Sequence, residues 1–209
     1  YDFLGEMARG LNVPCGYDTD VNGACLGEVI YGAGKGLDNV IYITVGTGIG
    51  AGVYVGGHLL HGMLHPEAGH IALARVPGDE GFACNCPSHE SCFEGLAAGP
   101  AVVARYGVER ASDMADDEGF LELESTYIAQ GICTYIYTLS PQRIVLGGGV
   151  PDHAPKLMAR VRAKVLEQIN GYLATPELAD IDTYIVSPAC DGNQGVLGAI
   201  ALGARALEG

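Results

Sequence analysis

The chain has 209 residues, enough for one or two domains with a sizeable buried core. Hydrophobic residues make up 48% of it and charged residues 17%, a balance that excludes intrinsic disorder. Twenty-five acidic against 11 basic side chains give a net charge of −14, which repels nucleic acid and anionic lipid, so we expect neither as a partner. With no apolar run long enough for a membrane helix and several clustered cysteines, we expect a cytoplasmic protein.

The arrangement of apolar runs predicts an α/β fold. In chain order they indicate a β-hairpin over 40–57, a helix over 121–139, a strand at 143–149, a helix over 156–173, a strand at 183–189 and a helix over 193–207. Because helices and strands alternate, we expect at least part of the sheet to be parallel. Ligand sites in such sheets lie beyond the carboxyl ends of the strands, where the glycine-rich turns of this chain fall.

An acidic motif, DTDVNGACLGE, carries the first candidate catalytic group. Asp20 lies just before a helical pattern that begins near Asn22. A carboxylate at such a junction either caps the helix or points into a crevice, where it can take a proton from a substrate hydroxyl. The motif alone leaves both interpretations open.

Two glycine-rich turns are candidates for phosphate or nucleotide binding. VGTGIGAG contains Gly46, Thr47 and Gly48, which either surround phosphate oxygens or form an ordinary hairpin turn. LGGGV contains Gly148 and Gly149, which either let an adenosine lie against the backbone or form a tight strand-to-helix loop. Neither turn has the spacing of a P-loop or of a dinucleotide fingerprint.

A dense group of histidines and cysteines predicts a metal site. HPEAGH ends at His70, and CNCPSHESCFEG supplies Cys86, His89 and Cys92. Two sulfur and two nitrogen ligands form the kind of closed tetrahedral site that selects zinc. Cys84 is a fifth candidate where only four are needed, so it is a substitute for one of the others.

Glu67 and Glu94 flank the predicted zinc site. Carboxylates accept hydrogen bonds from sugar hydroxyls, so a rigid pair of them is a candidate sugar site; the alternative is two solvated surface acids. The remaining histidines have no partner spacing and are interpreted as structural or surface groups: His58, His61, His65 and His153.

The order of these motifs resembles the ROK family of sugar kinases and sugar-responsive repressors. DTDVNGACLGE, VGTGIGAGVYVGG, HPEAGH, CNCPSHESCFEGLAAGP and LGGGV follow one another as they do in that family. The HPExGH and CPxHxxC forms are most similar to its bacterial fructokinases. The resemblance implies an actin/hexokinase-like, ribonuclease H-like fold, present mostly as its C-terminal lobe, and phosphate transfer from Mg-ATP to a hexose, most simply fructose.

The resemblance also implies residue roles. Asp20 would be the general base, and Asn22, Glu67, His70 and Glu94 would fall at sugar-binding positions, with His70 doubling as a ligand of a structural zinc. The matching nucleotide positions are Gly46, Thr47, Gly48, Gly148 and Gly149. Family members commonly pair, so a homodimer is expected.

By the same resemblance, residues 1–37 are a remnant of the first lobe, 38–190 form the lobe with the zinc site, and 191–209 form a helix that packs back toward the first lobe. The chain starts at Tyr1 and shows no glycine-rich hairpin like the one that opens the family. We therefore expect a truncated chain that binds zinc but has negligible kinase activity alone.

Two other functions fit parts of the same pattern. The chain could be the sugar-sensing half of a ROK transcriptional repressor, because the zinc and sugar residues are common to both. It could also be a zinc-stabilised interaction module without catalysis. Asp20 and the fructokinase-like motifs favour the kinase.

Overall fold

The computed structural model of the chain describes residues 1–208. Its strands are β1 Val40–Val45, β2 Ile49–Val55, β3 His58–Leu59, β4 Arg143–Gly147 and β5 Ile185–Val186. Its α-helices are α1 Phe3–Leu11, α2 Asp20–Tyr31, α3 Phe93–Ala97, α4 Gly99–Tyr106, α5 Glu118–Leu139, α6 Gly149–His153, α7 Leu157–Ile169, α8 Pro176–Ala179, α9 Ile181–Tyr184 and α10 Gln194–Glu208. Short 3₁₀ helices cover Ala68–His70 and Ala111–Met114. Within residues 1–208, none of the helices has the length and apolar character needed to cross a membrane.

The strands form one mixed sheet in the order β3-β2-β1-β4-β5. β1 and β2 form the predicted antiparallel hairpin, in which Val45 lies opposite Ile49. β4 runs parallel to β1, with Thr44 opposite Gly147, and β5 runs parallel to β4. The carboxyl ends of β1 and β4 therefore meet at one edge of the sheet, and the predicted parallel pairing is confirmed.

Helices cover both faces of the sheet, which explains the almost unbroken apolar runs of its central strands. Ile41 and Ile43 of β1 belong to a large core that includes residues of α3, α5 and α7. Val40 and Tyr42, which alternate with them, belong to a second core with α2 and α10. The molecule therefore has three layers, and the predicted α/β fold is confirmed.

The longer helices follow their sequence patterns closely. α5 runs to Leu139 as predicted, and every fourth residue of α7 from Leu157 to Ile169 is buried. The predicted strand over 183–189 is shorter in the structure, where only Ile185–Val186 pairs with β4. The preceding residues complete the helical turn of α9 instead, so the strand prediction was too long.

Helices α2 and α10 cross at glycines. A Cβ on Gly198 would lie 1.7 Å from the carbonyl oxygen of Gly23, and one on Gly27 would lie 2.1 Å from that of Gln194. No real Cβ approaches a backbone atom so closely, so these positions need glycine for space. The two helix backbones are thus in direct contact on one face of the sheet.

Gly198→Ala is expected to destabilise the fold by about 3 kcal/mol, the upper end of the usual range for overpacked cores. The added methyl group must push α10 away from α2, because the atom it meets is backbone. Gly203→Ala is the matched control on α10, since nothing lies within 4 Å of its Cβ position. That variant is expected to stabilise the helix by about 0.5–1 kcal/mol. Urea unfolding measures both, and equal effects would contradict the close crossing.

The carboxyl group of Glu124 in α5 is buried, with 1% of the residue exposed. Within the described part of the chain its Oε1 has no hydrogen-bond partner. Burial raises the pKa of Glu124 well above its usual value, and the nearby Arg105 offsets only part of the rise. The folded protein therefore keeps a proton that the unfolded chain releases, and stability falls as pH rises from the usual pKa toward the raised one.

Glu124→Gln should remove this pH dependence, because glutamine does not ionise. The free energy of unfolding of the variant minus that of wild type is expected to be larger at about pH 8 than at about pH 5, because only wild type loses stability as pH rises. Glu109→Gln changes an exposed glutamate and serves as the control. Parallel stability–pH curves for wild type and Glu124→Gln would contradict a buried, protonated Glu124.

Candidate active site

Two glycine turns meet at the carboxyl edge of the sheet. The first, 46–48, joins β1 to β2, and Gly148 follows β4 with a φ of +100°. A Cβ on Gly148 would lie 2.6 Å from the backbone nitrogen of Val45, so both conformation and space require glycine there. The Cβ position of Gly46 is 3.8 Å from the nitrogen of Gly149, which puts the two turns side by side.

A cavity of about 620 Å³ opens beside these turns. Thr47 and Gly149 line one side of it, and Pro100, Val103 and Ala111 give it an apolar wall. A concave site of this size with an apolar wall and a few polar groups suits a small-molecule ligand. Its lining brings together both glycine turns that the sequence selected as nucleotide candidates.

Glu94, in the first turn of α3, is anchored on the same hairpin. One carboxylate oxygen accepts a hydrogen bond from the backbone N–H of Ile49 at 2.8 Å. The other lies 3.9 Å from Nε2 of His70. Gly48 leaves the room for this contact, because a Cβ there would lie 2.7 Å from the carboxylate. Glu94 and His70 are therefore neighbours beside the turn that carries Thr47.

Asp20 is the first residue of α2, and its carboxylate is exposed. The N-cap is Thr19, whose Oγ1 accepts a hydrogen bond from the backbone N–H of Asn22 at 3.2 Å. The sequence interpretation placed the helix start near Asn22, two residues too late, and capping by Asp20 is excluded by this bond. Oδ1 of Asp20 accepts from the N–H of Val21 at 2.8 Å, which orients the carboxylate at the helix start.

The middle of β2 brings α2 against the hairpin. A Cβ on Gly52 would lie 2.4 Å from the carbonyl oxygen of Val21, so the first turn of α2 rests on this strand. Val21 follows Asp20 directly, and Ile49 at the beginning of β2 binds Glu94. One short strand thus supports both the helix that carries Asp20 and the carboxylate of Glu94.

Asn22, by contrast, is fully buried. Its Nδ2 donates to Oδ1 of Asp18 at 2.7 Å. The other oxygen of Asp18 lies 2.9 Å from Nε2 of His61. His61 was interpreted from sequence as a histidine without a partner, and the structure gives it one on another element.

Glu67 precedes the 3₁₀ helix that ends at His70. Its side chain is 62% exposed, and Oε1 lies 2.9 Å from Nε2 of His65, a second histidine with a partner that spacing did not reveal. Within residues 1–208 no hydrogen bond joins Glu67 to Asp20 or Glu94. The meeting of Glu67 with these groups around a sugar stays a prediction.

Four side chains of the 70–92 segment bring possible metal ligands together. Donor atoms of His70, Cys86, His89 and Cys92 all lie within 4.8 Å of one another. Sγ of Cys86 is 3.3 Å from Nδ1 of His89. Nδ1 of His70 is buried, and nothing in the described chain hydrogen-bonds to it. This donor set fits a closed tetrahedral zinc site, and Cys84, the substitute ligand, is outside the group.

The two thiols of this group differ in environment. Burial raises the pKa of Cys92 to about 12, whereas a hydrogen bond from the backbone of Ser88 lowers the pKa of Cys86. Zinc binds thiolates, so loading the site releases protons. Nδ1 of His70 has no hydrogen-bond partner among the described residues and Nε2 lies 3.9 Å from Glu94, so a metal held by Nδ1 would fix the imidazole that faces the carboxylate.

Other cavity residues come from segments that the sequence did not connect with this cavity. Asn85, Arg110, Ser112 and His153 line the cavity beside the glycine turns. Asn85 lies between Cys84 and Cys86 in the metal motif, whereas the other three belong to a loop, a 3₁₀ helix or a short helix whose local pattern indicates no ligand. Only the tertiary fold brings them together, so sequence reasoning had no signal for them.

Solved structures with this architecture belong to the actin/hexokinase-like class. The structure of a ROK family glucokinase from Streptomyces griseus in complex with glucose and AMPPNP has a TM-score of 0.75 and 25% identity, covering 96% of this chain and 72% of that one. A ROK family transcriptional regulator, described as a homolog of E. coli MLC, has a TM-score of 0.76 and 22% identity, covering 97% of this chain and 55% of that one. The predicted fold class is therefore confirmed.

The family follows from the sequence comparisons. The family model described as "ROK family" matches residues 1–206. A Bacillus subtilis (strain 168) protein named "Putative fructokinase" is 46% identical over all 209 residues, which span 69% of its length. "Fructokinase" of Pediococcus pentosaceus is 40% identical over 208 residues, or 70% of its length. The chain belongs to the ROK family.

Proposed function

We propose that this chain binds a hexose and Mg-ATP as part of an ATP-dependent hexose kinase that phosphorylates fructose to fructose 6-phosphate. The observation that carries the proposal is that the turn holding Thr47, the carboxylate of Glu94 and the first turn of α2 all meet on β2. The turn that holds Thr47 leads directly into Ile49, whose N–H binds Glu94, and the strand then supports the helix that begins with Asp20. A phosphate donor at the turn and a hydroxyl at the acidic groups would be neighbours, as transfer requires.

In the proposed reaction Asp20 is the general base. It accepts the proton of the sugar hydroxyl while the hydroxyl oxygen forms a bond to the γ-phosphorus of ATP. The bond from that phosphorus to the oxygen bridging to the β-phosphate breaks, and ADP leaves. The exposed carboxylate of Asp20, at the first turn of a helix, supports this role.

The nucleotide would occupy the cavity beside the two glycine turns. The N–H of Gly46 already donates to the carbonyl of Gly48 at 2.9 Å, so we assign the phosphate contact to Thr47 and the N–H of Gly48. Gly148 and Gly149 would lie against the adenosine, and the open Cβ position of Gly149, with nothing within 4 Å of it, allows close approach. Mg²⁺ belongs to the nucleotide substrate and neutralises its phosphates.

The sugar would be held by Glu67, His70 and Glu94. Carboxylates accept hydrogen bonds from hydroxyls, and an imidazole can accept or donate one. A site built this way rejects ligands that leave its groups unpaired. Zinc in the site of His70, Cys86, His89 and Cys92 supplies rigidity when bound. The choice of fructose rests on the names of the curated relatives.

The proposal is tested by ADP formation in the natural full-length polypeptide, with a panel of fructose, glucose and mannose. Fructose-dependent ADP formation is expected. A melting temperature that rises with hexose without any ADP formation would favour the sugar-sensing half of a repressor, which the shared fold of the MLC homolog supports. No response of either kind would favour an interaction module.

A further inference from the structure

We propose that His61 is a positioning residue: through Asp18 and Asn22 it fixes the first turn of α2, and with it the orientation of Asp20. The inference rests on the proposed function, because it assigns His61 a part in the same reaction. It concerns a side chain that no motif selected and that lies on a different element from the base.

The geometry is a small hydrogen-bonded network centred on the carboxylate of Asp18. Its side chain is only 7% exposed. Oδ1 accepts from the backbone N–H of Thr19 at 2.8 Å and from Nδ2 of Asn22 at 2.7 Å, while Oδ2 lies 2.9 Å from Nε2 of His61. Since a carboxylate only accepts, Nε2 of His61 carries the proton of that bond.

The network spans elements that are distant in sequence. Asn22 and His61 are 39 residues apart and have their side-chain nitrogens within 3.5 Å. His61 follows the edge strand β3, whereas Asp18, Thr19 and Asn22 form the entry to α2. The loop after β3 therefore holds the first turn of the helix that starts with Asp20.

The same loop leads on to Glu67, one of the proposed sugar ligands. A single short segment thus connects a sugar contact to the network that supports the base. Nε2 of His61 donates to Asp18, and among the described residues no hydrogen bond joins His61 to Asp20. Its removal should therefore affect the placement of the base, and so kcat, while leaving sugar affinity nearly unchanged.

The experiment uses the natural full-length polypeptide and steady-state kinetics with fructose. His61→Ala is expected to lower kcat by roughly 10- to 100-fold with little change in KM, because small misplacements of reacting groups have costs of that size. His61→Gln, which keeps a side-chain N–H donor, should recover most of the loss. His58→Ala, an exposed histidine of β3, is the matched control and should behave as wild type.

Two backgrounds separate positioning from a general structural effect. In an Asp18→Asn background, His61→Ala should cause little further loss, because the two residues act through one contact. In an Asp20→Asn background, His61→Ala should again lower the residual rate only slightly, because the base that His61 positions is already absent. If His61 had only a general structural role, His61→Ala would lower the rate by the same factor in wild type, Asp18→Asn and Asp20→Asn. That result would overturn the inference.

Other outcomes are equally decisive. A raised KM with unchanged kcat in His61→Ala would mean that His61 contacts the sugar directly. Full activity of His61→Ala, measured beside an active wild type, would show that the network does not position the base. Either result overturns this inference and leaves the proposed kinase standing. A wild-type protein without hexose-dependent ADP formation overturns the proposed function, and this inference with it.

Discussion

Cys92→Ser is expected to abolish stoichiometric zinc binding and to lower the melting temperature to that of chelator-treated wild type. Removing a residue that only hydrogen-bonds to a metal-binding side chain typically lowers metal affinity by roughly 10- to 100-fold. Cys92→Ser removes a metal-binding side chain itself, so its loss of zinc affinity should be larger. Cys92 is also the N-cap of α3, where its Sγ accepts from the N–H of Gly95 at 3.3 Å. Serine keeps a capping oxygen, so the substitution tests the metal ligand and spares the cap.

Zinc per chain and the melting temperature with and without chelator measure this effect. Cys84→Ser is the matched control, because Cys84 lies outside the group of four donors. We expect it to retain one zinc per chain, and His89→Ala to lose it. Zinc retained by Cys92→Ser but lost from Cys84→Ser would show that the ligand set is wrongly assigned.

Asp20→Asn is expected to lower kcat for hexose phosphorylation by about 10²- to 10⁴-fold, the usual contribution of a general base. Asparagine is nearly the same size and can still accept from the N–H of Val21, so the helix start should stay intact. It cannot take up the proton of the sugar hydroxyl. Hexose binding, measured by calorimetry, should change little, which places the loss in the chemical step.

Asp38→Asn provides the comparison for this variant. Asp38 is an exposed aspartate just before β1, at the end of the strand opposite the glycine turn. It should keep wild-type kcat and KM. An Asp20→Asn protein with wild-type kcat would show that another group accepts the proton.

The parts of the fold that sequence predicted are those determined by local pattern. The burial of α7 at every fourth residue is visible in the order of its apolar side chains. The helix start was misjudged because Thr19 and Asp20 are both good N-caps, and only the bond from Asn22 to Thr19 decides between them. Adjacent polar residues of equal propensity give no signal that separates them.

The candidate site was predictable where its residues share a motif, and unpredictable where tertiary contacts build it. The spacing of Cys86, His89 and Cys92 indicated a metal site, and the structure brings them together with His70. The pairing of His61 with Asp18 joins two segments that the sequence does not relate. Such contacts depend on how β3 and α2 are placed, which no local spacing encodes.

A crystal structure of the full-length protein with zinc, fructose and a non-hydrolysable ATP analogue tests the account most directly. The quantity to measure is the distance from the carboxylate of Asp20 to the sugar hydroxyl that faces the γ-phosphate. We predict about 2.6–3.2 Å, with Glu94 and His70 on other hydroxyls of the same sugar. A sugar bound away from Asp20, or a segment of His70 to Cys92 that holds no metal, would contradict it.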